Sequence, residues 1–138
     1  MGRKKGTSKA MPELSRLEQD VMNVIWELGD CSSAEVIEAF NPKRKLAKTT
    51  IRTVMSNLRK KGYIKPIPTI ERGLRFRSCV SRDVVARRSL RKVVSGLFEC
   101  SPRQAISYLL RDEDIDKTDL DEIRRMLDER ASEEGGRR

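Results

Sequence analysis

Lys48-Thr-Thr-Ile-Arg-Thr-Val-Met-Ser-Asn-Leu-Arg-Lys-Lys-Gly62 is the stretch that decides the fold. Its apolar residues, Ile51, Val54, Met55 and Leu58, fall at i, i+3, i+4 and i+7, the spacing of one helical face. The other face carries Lys48, Thr49, Arg52, Thr53, Ser56, Asn57 and Lys60, with no acid among them. Such side chains suit a DNA major groove. Arg forks onto guanine O6 and N7, Asn bridges adenine N6 and N7, and Thr methyls touch thymine. Lys60-Lys61-Gly62 predicts a helix end, with cations at the negative pole and a glycine just beyond. Taken alone, this face is equally compatible with an ordinary solvated helix. Its neighbours separate the two readings.

Upstream, Ser15-Arg-Leu-Glu18 is a capping box preceded by Leu14 as a staple residue. Leu17, Val21, Met22, Ile25 and Leu28 continue at helical spacing to Gly29, and Trp26 reads as a packing anchor. Ser32-Ser-Ala-Glu35 is a second capping box. It opens a short helix with apolar Ala34, Val36, Ile37 and Phe40, closed by Asn41-Pro42. A cationic turn, Lys43-Arg44-Lys45, leads into the first stretch. Two short helices, a tight connection and a third helix with a readable face predict a helix-turn-helix.

Downstream, Tyr63–Ile70 and Leu74–Val80 alternate loosely around the turn signal Glu71-Arg72-Gly73. Pro66 and Pro68 place the first strand at an edge or break it early. A hairpin directly after a helix-turn-helix is a wing. Arg72, Arg75 and Arg77 on it are candidates for phosphate or minor-groove contact, as are Lys43 and Arg44 in the preceding turn.

Ser81 caps a predicted helix over 82–98, Ser101-Pro-Arg-Gln104 is a third capping box with Pro at N1, and Thr118 is read as the cap of a last helix. Their apolar stripes include Leu90, Val94, Leu97, Phe98, Ile106, Leu109, Leu110, Ile123 and Leu127. About 50 residues bury little surface alone, so a second copy is the expected cover, making these the candidate dimerisation residues. Packing back on the chain's own N-terminal half is the alternative. The expected organisation is a disordered basic tail over 1–11, a winged helix-turn-helix over 12–80, a helical dimerisation region over 81–131 and a frayed tail over 132–138. The fold class is mainly α with a small β-hairpin wing.

Charge follows the same division. Residues 1–80 carry 17 Lys/Arg and 8 Asp/Glu, which is the whole net +9, whereas residues 81–138 carry 13 of each. A basic half joined to a neutral half is the footprint of a nucleic-acid binder. In the tail, Arg3, Lys4, Lys5 and Lys9 either contact phosphate or merely solubilise. No apolar run is long enough to span a bilayer and there is no signal-peptide core, so a cytoplasmic location without membrane insertion is expected. Cys31, Cys79 and Cys100 are odd in number and widely spaced, and read as reduced, buried thiols.

An enzyme is disfavoured. The chain has no His, which removes the commonest general base and metal ligand. No phosphate loop or activated nucleophile is visible. The acidic run Asp112, Glu113, Asp114 and Asp116 lacks the glycine and terminal acid of a calcium loop. No catalytic residue, metal site or cofactor is therefore expected.

In order and spacing, several fragments resemble the penicillinase-repressor (BlaI/MecI/CopY) family of winged-helix regulators. They are Leu17-Glu18 through Val21-Met22 to Ile25-Trp26, Lys48–Val54 with Leu58 and Lys60–Gly62, Arg72–Phe76, Leu97-Phe98 and Leu120–Leu127. The resemblance spans about Leu14 to Leu127. It implies a homodimer on a double-stranded inverted-repeat operator that blocks transcription. By position, Lys48, Thr49, Thr50, Arg52 and Thr53 match the groove-reading segment, and Ser56 and Asn57 the next exposed turn. Asn57 stands where the family usually has Arg, and Arg77 where it often has a wing Tyr. The resemblance also implies release by a signal-dependent event such as cleavage triggered by a membrane sensor protease. Its best-known members are cut at an Asn-Phe bond; this chain has no Asn-Phe pair, its matching region reads Tyr108-Leu-Leu-Arg111, and the position of a cut does not carry over. The cysteine cluster of the copper-responsive branch is missing. The expected function is thus sequence-specific repression. The alternative is a non-sequence-specific architectural binder, which would need neither Arg52, Thr53 and Asn57 on one face nor a dimerising half.

Overall fold

The computed structural model describes residues 11–41 and 46–136. The expected contacts of Lys43, Arg44 and the basic tail up to residue 10 lie outside them. Among the described residues six helices and three strands follow in the order α1 (Arg16–Leu28), β1 (Cys31–Ser32), α2 (Ser33–Phe40), α3 (Lys48–Lys61), β2 (Ile64–Ile67), β3 (Arg75–Ser78), α4 (Arg82–Leu97), α5 (Pro102–Leu109) and α6 (Lys117–Gly136). The chain forms two compact units, residues 1–88 and 89–138.

In the first unit both capping boxes form. The Ser15 hydroxyl accepts from the Glu18 N–H and Glu18 accepts from the Ser15 N–H, and Ser32 and Glu35 repeat the exchange. Each satisfies two N–H groups that a helix start otherwise leaves orphaned. The helices close a core around Val21, Met22 and Ile25 of α1, Val36, Ile37 and Phe40 of α2, and Ile51, Val54, Met55 and Leu58 of α3. Tyr63, Ile64, Phe76 and Val85 complete it. Two expectations on these helices fail. Leu28 and Ala34 are exposed, whereas Val24 is buried. Leu28 is the last residue of α1, where the chain turns away at Gly29.

The sheet has three strands, not the two of a hairpin, in the order β1-β3-β2, all antiparallel. Cys31 pairs with Phe76 and Ser32 with Arg75. Two residues are too short for an alternation signal, which is why β1 is illegible in the sequence. Pro66 sits in the edge strand β2, which stops before Pro68, since proline cannot donate to a ladder. Trp26 is the anchor expected of it. Its indole N–H donates to Ser78 Oγ at 3.1 Å and to the Val80 carbonyl at 2.9 Å, tying α1 to the end of β3. The Arg82 guanidinium lies 5.6 Å from the centre of its ring.

In the second unit Ser101 caps α5 through the Gln104 N–H, with Pro102 in the first turn. Phe98 and Tyr108 meet edge to face at 5.2 Å. Asp116, not Thr118, caps α6. Its carboxylate accepts from the Asp119 N–H at 2.8 Å, and Asp119 returns a bond to the Asp116 N–H. Residues 132–136 continue α6 instead of fraying, as Glu and Arg are good helix formers and Arg130 pairs with Glu134 at 3.6 Å. No helix among the described residues is long and apolar enough to cross a membrane.

Candidate nucleic-acid interface

Helix α3 is held from behind. Ile51, Val54, Met55 and Leu58 are buried, while Lys48, Thr49, Arg52, Thr53, Ser56, Asn57 and Lys60 are exposed and Thr50 is half-buried. The spacing that buries four residues therefore presents the other seven together. Among the described residues none of Lys48, Arg52, Lys60 or Arg59 is in an ion pair, so their charge is directed at solvent. Arg59 is a further exposed cation of this helix that its sequence position, beside Leu58, did not single out. Gly62 ends α3 in the left-handed region at φ 91°, with its N–H on the carbonyls of Arg59 and Leu58. This conformation explains the glycine.

Lys61 does not share the free face. Its Nζ lies 2.6 Å from Glu18 Oε1 and 2.8 Å from the Glu13 carbonyl. Burial alone would raise the Glu18 carboxyl, but the bond from Lys61, the Ser15 N–H and the Lys61 charge together hold it below the ordinary carboxylate range. Tyr63 donates to the Pro12 carbonyl at 2.6 Å. The end of the exposed helix is thus strapped to the segment before α1.

Between α2 and α3 lies an open groove of about 380 Å³ lined by Ala34, Glu35, Ile37, Glu38, Asn41, Lys48 and Arg52. It is the notch of the helix-turn-helix, and Lys48 and Arg52 form its basic wall.

The three wing arginines differ. Arg72 is exposed in the turn between β2 and β3, without an ion pair among the described residues. Arg77 grips Asp30 with two bonds, Nε to Oδ1 at 3.0 Å and Nη2 to Oδ2 at 2.7 Å. Arg75 donates to the Asp30 carbonyl at 2.7 Å and reaches Glu35 at 3.2 Å and Glu71 at 3.4 Å. The bond from Arg77 holds the Asp30 carboxyl below its usual range, and Asp30 raises Arg77 in return. Glu35 is lowered first by the Ser32 N–H and then, against burial, by Arg75.

Cys31 is buried, and burial, followed by the Glu35 charge, pushes its thiol up to about 11. It is inert as a nucleophile at neutral pH. Cys79 and Cys100 are exposed, contrary to the expectation of buried thiols. Cys79 lies in the connection between β3 and α4, and Cys100 in that between α4 and α5. Among the described residues no group of acids and cysteines is placed to hold a metal.

A cored three-helix unit with a three-stranded sheet and an arginine-tipped hairpin after its third helix is a winged helix. The penicillinase repressor profile matches residues 14–129, and the chain belongs to that family. It is 24% identical over 117 residues to the penicillinase repressor of Staphylococcus aureus, covering 85% of this chain and 92% of that one. It is 28% identical over 124 residues to an uncharacterised 16.5 kDa protein of Latilactobacillus sakei, covering 87% and 82%. A solved structure of BpsR from Bordetella bronchiseptica, whose DNA binding is regulated by 6-hydroxynicotinic acid, matches at 22% identity and a TM-score of 0.42 over 75% of this chain and 83% of that one. The chain is a transcriptional regulator of the penicillinase-repressor type.

Proposed function

We propose that the protein is a sequence-specific repressor that binds an inverted-repeat operator as a homodimer. The observation that carries this reading is the exposed, acid-free face of α3, held rigidly by four buried residues. Lys48, Thr49, Thr50, Arg52 and Thr53 enter the major groove, with Ser56 and Asn57 on the next turn and Lys60 on phosphate. Arg72 reaches backbone or minor groove from the wing, and Lys43 and Arg44 add charge at the turn.

Residues 12–80 act as the DNA-binding domain and 81–131 as the dimerisation region. Leu90, Leu97, Ile106, Leu109, Leu110 and Leu127 are all exposed in the single chain, and Val94, Phe98 and Ile123 half-buried. Apolar surface on this scale is what a second copy removes from water. Release by a signal-dependent event fits the family.

Footprinting across the promoter region of the protein's own gene, over a salt series, tests the reading. The expected result is a protected inverted repeat with half-sites about one helical turn or a multiple apart, preferred over scrambled duplex by about 10³-fold or more. Salt-sensitive coating without a discrete site would replace it with architectural, phosphate-driven binding.

A further inference from the structure

The wing offers three arginines, and the geometry points to a division of labour among them. We propose that Asp30, with Glu35 and Glu71, holds Arg75 and Arg77 in ion pairs as a clamp, leaving Arg72 as the wing's phosphate contact. The inference rests on the DNA-binding reading above.

Four observations carry it. The Arg77–Asp30 contact uses both carboxylate oxygens, the fork geometry that a guanidinium would otherwise offer to phosphate. Arg75 is engaged as well, on the Asp30 carbonyl, Glu35 and Glu71. The register places Lys65 directly opposite Arg77 across β2 and β3. Like charges there repel, and Asp30 on the other side of β3 offsets them. Finally, Asp30 immediately precedes β1, whose Cys31 pairs with Phe76. The clamp therefore joins the α1–α2 connection to the strand that carries the wing, fixing the wing's base relative to the recognition helix.

The clamp is exposed enough to be opened. The Arg77 and Asp30 side chains retain 55% and 41% of their surface. Opening it would release a cation to any phosphate nearby, irrespective of sequence. A carboxylate at position 30 thus restrains unspecific binding.

The test measures affinity of the full-length protein for a scrambled duplex across a salt series, with thermal melting to confirm that each variant is folded. Each phosphate contact contributes about 0.9 to the slope of log K against log salt. Arg72→Gln flattens the slope by about 0.9, whereas Arg77→Gln leaves it unchanged. Asp30→Asn, which keeps the backbone carbonyl for Arg75, steepens the slope by about 0.9. In an Arg77→Gln background the same change has no effect on the slope. Equal flattening in Arg72→Gln and Arg77→Gln, or in neither, overturns the proposal. So does an Asp30→Asn effect that persists without Arg77, which would be general surface charge. Because the duplex is scrambled, these slopes are readable whether or not footprinting finds an operator, so failure of the clamp and failure of the repressor reading are distinguishable.

Discussion

Helices α3 and α6 carry aliphatic stripes of the same kind, yet they end differently. Ile51, Val54, Met55 and Leu58 of α3 are all buried, whereas α6 has no buried residue, and its Leu127 keeps 61% of its surface. A stripe at helical spacing predicts that a face will be covered, but not by what. In the first unit the cover is local, since α1, α2 and the sheet all meet α3. In the second unit, three helices without a sheet bury Ala105 and little else.

The sharpest way to break this comparison is to truncate one residue from each stripe. Ile51→Ala should destabilise the winged helix by about 2–5 kcal/mol, read from denaturant unfolding. Leu127→Ala should change the stability of dilute protein by less than about 0.5 kcal/mol. At high concentration it should instead lower the melting temperature if a second copy covers α6. Melting that is independent of concentration in both proteins would sink the dimer.

Arg52→Ala sharpens the contrast from the functional side. It should cost about 1–3 kcal/mol of operator preference over scrambled duplex while leaving the fold intact. An equal loss on both duplexes would mean that Arg52 only holds phosphate.

Glu18→Gln should cost about 1–2 kcal/mol, since it weakens a capping box and leaves Lys61 with a poorer partner. The sign with pH follows from the lowered carboxyl. Its folded value lies below the unfolded one, so the contribution is complete above the unfolded value, near 4.3. It fades as pH falls through the folded value. The difference between wild type and Glu18→Gln should therefore shrink below about pH 4. A constant difference down to pH 2 would assign the effect to the cap alone.

The smallest effect is expected in the second unit. Glu99 and Cys100 follow α4 at φ 50° and 62°, where glycine is favoured. The Cys100 N–H reaches back to the Val94 carbonyl at 3.1 Å, closing the end of the helix. Glu99→Gly should stabilise this unit by about 0.4–1 kcal/mol, read as slower amide exchange in α4 and α5.

Much of the first unit was legible because its signals are local. Ser15, Glu18, Ser32 and Glu35 announce two helix starts within four residues each, and Gly62 announces an end. The exposed face of α3 was legible for the same reason, as burying one side of a helix determines the other. What was missed depends on residues far apart in the chain. Cys31 and Ser32 gave no strand signal because two residues have no period, and they become a strand only beside Phe76 and Arg75. Arg75 and Arg77 looked like Arg72 until Asp30, 45 or more residues away in the chain, was brought beside them. Asp116 displaced Thr118 as a cap because either is competent, and the backbone path selected between them.

By itself, then, the sequence determined helix placement, the two capping boxes of the first unit, the acid-free reading face and the concentration of charge in the first 80 residues. These are properties of neighbours along the chain, set by periodicity and by side chains reaching one turn away. The third strand, the pairing of Lys61 with Glu18 and which wing arginines lie in ion pairs were decided by tertiary structure. Each depends on two segments meeting, and whether a cation is available or already paired follows from what the fold places within about 4 Å of it.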